Sequence, residues 1–421
     1  QYYNNDTYGI FTLSADYTFT GNIVDSLSTE NRIPQPFYRS NYGLTKYRAQ
    51  YHFHQKVNAK HNYVTGFNYD VYSFNLQDSI YRASTDDFRN LRDEQGVSGL
   101  AQGFFQWQYR ITEKLDATAG LHYQYFAFNG SQQIEPRLGV NYQLNKQNSL
   151  KFGYGLHSQL QVMPIYFLET QQAGNGKIRT NENLDFTKSH HFVAGFNHLF
   201  TRDFKLSTEV YYQHLYDVAV ERRSSSFSML NAGADFGVPN VDSLVNTGIG
   251  TNYGFELTME KSFSNNYYFL ATASIFESKY QGSDGKWRNT AFNSQYVLNG
   301  LLGREFELGS KNRVLAIDLK STYAGGQYVT PIDLEASRLA KEMVLDSKNA
   351  YSVKNPDYFR TDFKISFRMN SKKLTHEWAL DIQNVFNTQN LFRRTYNPET
   401  EQIVKNNQLG IYPIPQYRLT F

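Results

Sequence analysis

The stretch "RTDFKISFRMN" (residues 360–370) divides between two faces: Phe363, Ile365, Phe367 and Met369 alternate with Asp362, Lys364, Ser366 and Arg368. Successive side chains of an extended strand point to opposite sides. A strand here is apolar on one face and charged on the other. The period of two, not the 3.6 of a helix, is the recurrent pattern of the chain. It returns in "NYGFELTMEK" (252–261), where Tyr253, Phe255, Leu257 and Met259 oppose Gly254, Glu256, Thr258 and Glu260. It also runs through "RVLAIDLKS", "SLKFGYGLH", "EPRLGVNYQL" and "KLDATAGLHYQY". About sixteen such segments of roughly 10 to 16 residues can be traced.

Strands of that length exceed the ~5–6 residues usual in a globular sheet and reach the roughly 9–11 that cross a bilayer at a tilt. The connections alternate as well. Tight turns fall at "KVNAK", "ITEK", "NKQN", "FTRD", "SFSNN", "ELGSKN" and "MNSKK". Between them come longer polar stretches near residues 20–42, 77–95, 160–185, 221–246, 281–294, 326–357 and 389–407, with a short exception at 129–133. Short turns on one rim and long loops on the other is the arrangement of an outer-membrane barrel. The predicted fold is all-β: an antiparallel transmembrane outer-membrane β-barrel with about sixteen strands in residues 1–421. One segment has helical spacing, "PIDLEASRLAKEMVLD" (331–346), which predicts a short helix inside a long loop.

Composition agrees. Aromatic residues make up 16% of the 421 residues, with Tyr 33 and Phe 32, yet mean hydropathy is only −0.58. So many large rings on so polar a chain must in part face outward. No apolar run approaches the roughly 20 residues of a membrane-spanning helix. With Cys 0, disulfides, zinc–thiolate sites and thiol nucleophiles are excluded together. A formal net charge of +3 is too small over this length to predict a nucleic-acid partner. The chain opens at "QYYNNDTYGIF" without a basic, apolar leader, so any signal peptide is expected to have been removed or to lie upstream.

Neither a nucleophile elbow nor a phosphate- or dinucleotide-binding fingerprint occurs, so neither catalytic residues nor a cofactor is predicted. His52 and His54 lie two apart on one strand face and form a weak metal candidate; without carboxylate or thiolate company they read first as polar wall lining. Rings on the apolar alternation, such as Tyr51, Trp107, Tyr253 and Trp378, are expected to face lipid, with Tyr and Trp favoured at headgroup level. Tyr38, Phe88, Tyr166, Phe167, Phe227, Trp287 and Phe392 lie in stretches read as loops and are the candidate substrate- or partner-binding residues. Rings that merely pack on one another would look the same in the sequence.

The chain ends on "QYRLTF", with Tyr417, Leu419 and Phe421 on one face and Arg418 and Thr420 on the other. An apolar strand end is a hazard in water, so it needs a membrane or a partner.

The segments "IEPRLGVNYQLNKQNSLKFGYG" (134–155), "SFSMLNAGADFGVPNVDSLVNTGIGTNYGFELTMEKSF" (226–263), "GSDGKWRNTAFNSQYVLNGLLGREFELG" (282–309), "TYAGGQYVTPIDLEASR" (322–338) and the terminal "QLGIYPIPQYRLTF" (408–421) together resemble the C-terminal barrel of TonB-dependent outer-membrane receptors. The resemblance is to the type found in Bacteroidota. It implies a 22-stranded barrel around an N-terminal plug, with a TonB box coupling import to the inner-membrane proton-motive force. It also implies that Tyr417, Leu419 and Phe421 are read by the barrel-assembly machinery and that the last strand pairs with the first. Plug and TonB box do not occur in these residues, so the chain is expected to be the C-terminal part of a longer receptor. The function implied is active import of a small nutrient or chelate. The expected partners are outer-membrane lipids, the assembly machinery, the TonB complex through an upstream segment, and a surface lipoprotein. Two other readings stay open: a passive porin complete in sixteen strands, and a surface-binding or scaffold barrel.

Overall fold

The computed structural model describes residues 2–4, 6–27, 33–82, 84–172, 176–234, 237–309 and 312–421. Sixteen long strands follow one another as a single antiparallel meander. They are β1 (Thr7–Leu27), β2 (Pro34–Lys56), β3 (His61–Arg82), β4 (Asp87–Arg110), β5 (Leu115–Phe126), β6 (Gln132–Gln143), β7 (Asn148–Gln159) and β8 (Thr187–Leu199). The second half comprises β9 (Phe204–Glu221), β10 (Leu244–Ser264), β11 (Tyr267–Gln281), β12 (Tyr296–Glu307), β13 (Arg313–Ala324), β14 (Tyr358–Asn370), β15 (Thr375–Gln383) and β16 (Tyr412–Thr420). Each pairs with its neighbours in the chain. The tight turns form where the sequence places them, apart from the one in "ELGSKN", whose residues 310 and 311 lie outside the described residues. Asn265 and Asn266 both adopt positive φ (52° and 64°) to join β10 to β11, and Asn tolerates that region better than most residues.

Two expectations change. The stretches at 20–42 and 77–95 are mostly strand, because pairing continues through Ile23↔Arg39, Gln77↔Asp93 and Tyr81↔Phe88. The 24 residues of β4 span about 80 Å at ~3.3 Å per residue, well beyond the roughly 30 Å hydrocarbon layer. These strands stand far out of the membrane, and there neither face meets lipid. Their alternation fades and they read as loops. The second change concerns the seam. Among the described residues β16 pairs only with β15, and the outer edge of β1 meets only Tyr2–Asn4, so the first and last of these strands do not join as a porin complete in sixteen strands would require, and the sheet is left open.

The register sorts the faces. Ile317, Ile365 and Leu380 lie side by side across β13, β14 and β15, and Phe367, Trp378 and Tyr417 do so across β14, β15 and β16. They belong to an apolar belt on the outward face, in which Phe11, Tyr51, Phe67, Phe105, Trp378, Leu380 and Tyr417 are exposed and Ile317, Ile365 and Phe367 half-buried between neighbours. The opposite face is polar. Arg48 clamps Asp70 with two bonds of 2.5 and 2.7 Å, Gln124 donates to Glu135 at 2.8 Å, and Tyr268 donates to Asp318 at 2.8 Å. Gly303 allows the last contact, since a Cβ there would sit 2.2 Å from the Tyr268 ring.

That inner face is identified by what packs on it. The connection between β7 and β8 carries a single helical turn, α1 (Met163–Tyr166), and folds inward. Ile165, Tyr166 and Phe167 bury against Phe74 and Leu76 of β3 and Leu100 of β4, and Phe227, Val238 and Val241 of the β9–β10 connection pack around them. A polar lock sits at the edge of this cluster. Arg92 on β4, fully buried, donates to Asp78 at 2.6 Å, to Asn240 at 2.9 Å and to the Pro164 carbonyl. Tyr38 and Tyr42 donate to the same Asp78 carboxylate at 2.9 and 2.8 Å. Asn181, also buried, donates to the carbonyls of Ile165 and Val241 at 3.2 and 2.9 Å. Two distant connections are thereby tied to each other and to the wall.

The expected loop helix is α2 (Leu334–Ala340), capped by Asp333, whose side chain accepts from the Ala336 amide at 3.0 Å. Lys341, at φ 57°, ends it, so Met343 and Val344 of the sequence pattern fall outside.

Spin labels at Ile365→Cys and Lys364→Cys should report opposite environments, the first relaxed by a lipid-soluble agent and the second by an aqueous one. The reversed pattern would mean a register slip of one residue. Arg92→Ala leaves Asp78 as a buried, unpaired charge, a loss of about 3–5 kcal/mol. It should expose residues 160–186 to limited proteolysis, and Arg92→Met with Asp78→Leu should restore most of the protection. Unchanged cleavage in Arg92→Ala would mean that the apolar cluster holds the loops alone.

Candidate functional site

The long-loop rim, which in this architecture faces the cell exterior, holds a cavity of about 860 Å³. Described residues of three connections wall it, within 224–233 and 237–241, 284–288 and 330–351. The first contributes Ser224, Ser225, Ser226 and Phe227, the second Asp284, Lys286 and Arg288, and the third Lys348 and Tyr351. Phe227 and Val238 also touch the inward-folded cluster, so one loop forms both the cavity wall and the cap beneath it.

The charges of the second wall are fixed locally. Arg288 grips Asp284 through two parallel bonds of 2.9 and 2.6 Å. That guanidinium holds the Asp284 carboxyl below the usual carboxylate range. The geometry follows from strand spacing: the short strand Trp287–Asn289 pairs with the end of β11, which sends Lys286 and Arg288 to one side and Trp287 to the other. Hence Lys286 and Arg288 line the cavity and the exposed Trp287 does not.

The candidate rings do not converge on one place. Tyr166 and Phe167 are 0% and 2% exposed, inside the cap, where burial pushes the Tyr166 phenol pKa up. Phe227 bridges cap and cavity. Tyr38 lies on β2 and is engaged by Asp78, while Phe88, on β4, packs edge-on against Tyr81 and under the Arg39 guanidinium. Phe392 lies on a separate hairpin, Leu391–Asn397 with Gln402–Asn407, beside Arg393. His52 contacts Asn68 and His54 stacks on Tyr8 at 4.4 Å; among the described residues no group of three or more His, Cys, Asp or Glu is placed to hold a metal. Tyr417 and Leu419 lie on the outward face of β16, and Tyr417 pairs with His376 at 2.8 Å; Phe421 follows the strand and is exposed.

Sequence reasoning missed the polar residues that fix the loops over the inner wall, Asp78, Arg92 and Asn181. Asp78 and Arg92 face each other across the β3–β4 hairpin. Only its register could have revealed them.

Residues 1–387 match the family model described as TonB dependent receptor-like, beta-barrel. The chain belongs to this family. It is an outer-membrane β-barrel of the TonB-dependent receptor type. Among solved structures it resembles the pyoverdine outer membrane receptor FpvA from Pseudomonas aeruginosa PAO1, with TM-score 0.70, 12% identity, and 100% of this chain covering 60% of that one. It also resembles the ferric yersiniabactin uptake receptor FyuA from Yersinia pestis (TM-score 0.68, 12% identity, 100% of this chain and 60% of that one). A third is BauA, the ferric preacinetobactin receptor from Acinetobacter baumannii (TM-score 0.66, 10% identity, 99% and 61%). No curated protein matches the chain in sequence. The chain spans about 60% of the length of these solved receptors.

Truncating Phe167 to Ala should destabilise the cap by about 3–5 kcal/mol, as for other buried aromatics, while Trp287→Ala should stay within roughly 0.5 kcal/mol. Hydrogen exchange over residues 160–186 measures the difference, and equal protection in both variants would remove Phe167 from the cap's support.

Proposed function

We propose that this chain is the C-terminal barrel portion of a receptor for TonB-dependent active import of a small nutrient or chelate across the outer membrane. Membership of the family carries the reading. The mouth geometry supports it: loops fold inward over the inner wall and leave a walled cavity open to the exterior, a form suited to capture before passage. The full receptor would have 22 strands and an N-terminal plug, through which TonB would act. Tyr417, Leu419 and Phe421 would be the signal read by the barrel-assembly machinery. Trp287 and Phe392, exposed on the rim, and Phe227, on the cavity wall, are the rings best placed for substrate. Tyr38, Phe88, Tyr166 and Phe167 serve the frame around them. The strands that rise above the membrane offer a surface lipoprotein a docking face. Transport, not catalysis, is the role assigned.

Neither the passive-porin reading nor the scaffold reading has a counterpart among the solved relatives described above. A porin would also need the mouth that residues 160–186 partly fill.

Strains lacking the full gene, or lacking TonB, should show the same growth defect on one limiting source of iron, vitamin or carbon. Restoration by the full gene only when TonB is present is the expected result. Uptake that persists without TonB would overturn the reading.

A further inference from the structure

We propose that the inner wall binds a divalent first-row transition-metal ion between His157 and His191. The site stands on the geometry of the wall and does not depend on the importer reading. His157 lies near the end of β7 and His191 near the start of β8, the two strands that the inward-folded connection joins. His191 faces Gly155 in the ladder and Gly155 faces Arg137, so by alternation both histidines share the inner face. Their ring centres are 4.7 Å apart and their planes differ by 50°. With a metal–nitrogen bond of about 2.0–2.1 Å, and a ring centre about 1.1 Å behind the nitrogen, two imidazoles on one ion at roughly 90–110° have centres about 4.5–5.2 Å apart. The observed spacing falls in that range.

Three features set this pair apart from ordinary wall lining. Gly155 makes room for it: a Cβ there would lie 2.6 Å from Nε2 of His157, so any side chain would push that ring away from the place beside His191. Among the described residues neither ring makes a hydrogen bond, whereas His52, His61, His122, His190, His198 and His376 each have a polar partner. The nitrogens are left for something other than the wall. Ser189 faces His157 in the ladder and shares a face with His191 two residues on; it is 8% exposed and its hydroxyl has no hydrogen-bond partner. A buried hydroxyl in that state is costly. A water carried on the ion would satisfy it.

The donor set decides the class of ion. Arg137, facing Gly155 from β6, donates to Glu135 at 2.7 Å, and the same carboxylate accepts from His122 at 2.9 Å and Gln124 at 2.8 Å. These groups are engaged with one another, and the ion would meet two imidazoles. Imidazole suits copper, nickel and zinc, while magnesium and calcium prefer oxygen. His190, adjacent in sequence, points to the opposite face and bonds to Tyr154 at 3.1 Å, so the chelating pair forms across strands and not along one. Two protein ligands leave the rest of the shell open to water and impose little geometry. Affinity should then follow the general order, with copper(II) above nickel(II).

The test uses the full-length receptor purified from outer membranes and stripped of metal. Copper(II), nickel(II) and magnesium(II) are titrated by calorimetry, and electron paramagnetic resonance of the copper(II) sample counts the nitrogen ligands. Copper(II) should bind saturably, nickel(II) more weakly and magnesium(II) not at all. The spectrum should show two imidazole nitrogens. His157→Ala and His191→Ala should each remove one of them and weaken binding by about tenfold or more, and Gly155→Ala should weaken it by displacing Nε2 of His157. His190→Ala, on the other face, should stay within about threefold. His157→Gln, closer in size, serves as a second variant at that position, and barrel yield is the folding control throughout. Copper(II) with its shell closed by EDTA should not bind. No saturable copper(II) site, binding and spectrum indifferent to both histidine variants, or equal binding of the closed complex would overturn the assignment. Uptake that persists without TonB would end the importer reading and leave this site standing.

Discussion

Hydrocarbon offers a backbone amide no water to bond with, so a chain that crosses it as strands must pair each strand on both sides. Between its two outer strands the meander meets that demand with the shortest connections available, each strand bonded to the next in sequence. Everything else follows from the ladder. Pairing fixes register, register fixes which residues share a face, and the face decides between lipid and interior. The row Ile317, Ile365, Leu380 and the Lys364 lying opposite Asp318 and Asp381 are two sides of one wall, separated by a single residue in sequence.

The membrane part of this arrangement was legible in the sequence because lipid on one side and a polar interior on the other impose a period of two. Residues 252–261 and 360–370 are strands for that reason. The tight turns were legible too, through their Asn, Lys and Ser content. Above the bilayer the contrast between faces disappears, which is why 20–42 and 77–95 read as loops although they continue the ladder. The rings of 160–186 were ambiguous for another reason. A loop aromatic looks alike in sequence whether it meets a ligand or a core, and Tyr166 and Phe167 meet a core that draws Phe74, Leu76 and Leu100 from strands far earlier in the chain.

Within the mouth, order comes from a buried ion pair. Arg92 and Asp78 bring little net stability by themselves, since desolvation offsets much of their attraction. Their value lies in geometry: a guanidinium with fixed donor directions reaches Pro164, Asn240 and Asp78 together. Apolar contacts alone would let the two connections slide. Hydrogen bonds with direction select one arrangement, and the cavity wall inherits it because Phe227 and Val238 belong to both structures.

At 10–12% identity the chain still superimposes on solved receptors with TM-scores of 0.66–0.70. That combination is what a wall governed by face pattern should produce. Any apolar residue serves on the lipid side and almost any polar one on the other, so strands keep their shape while their letters drift. The likeness therefore carries fold and says little about cargo. Ligand choice belongs to single side chains of the loops, which no backbone demand put in place. Such side chains can change while the ladder and the packed cap that hold the wall together stay as they are.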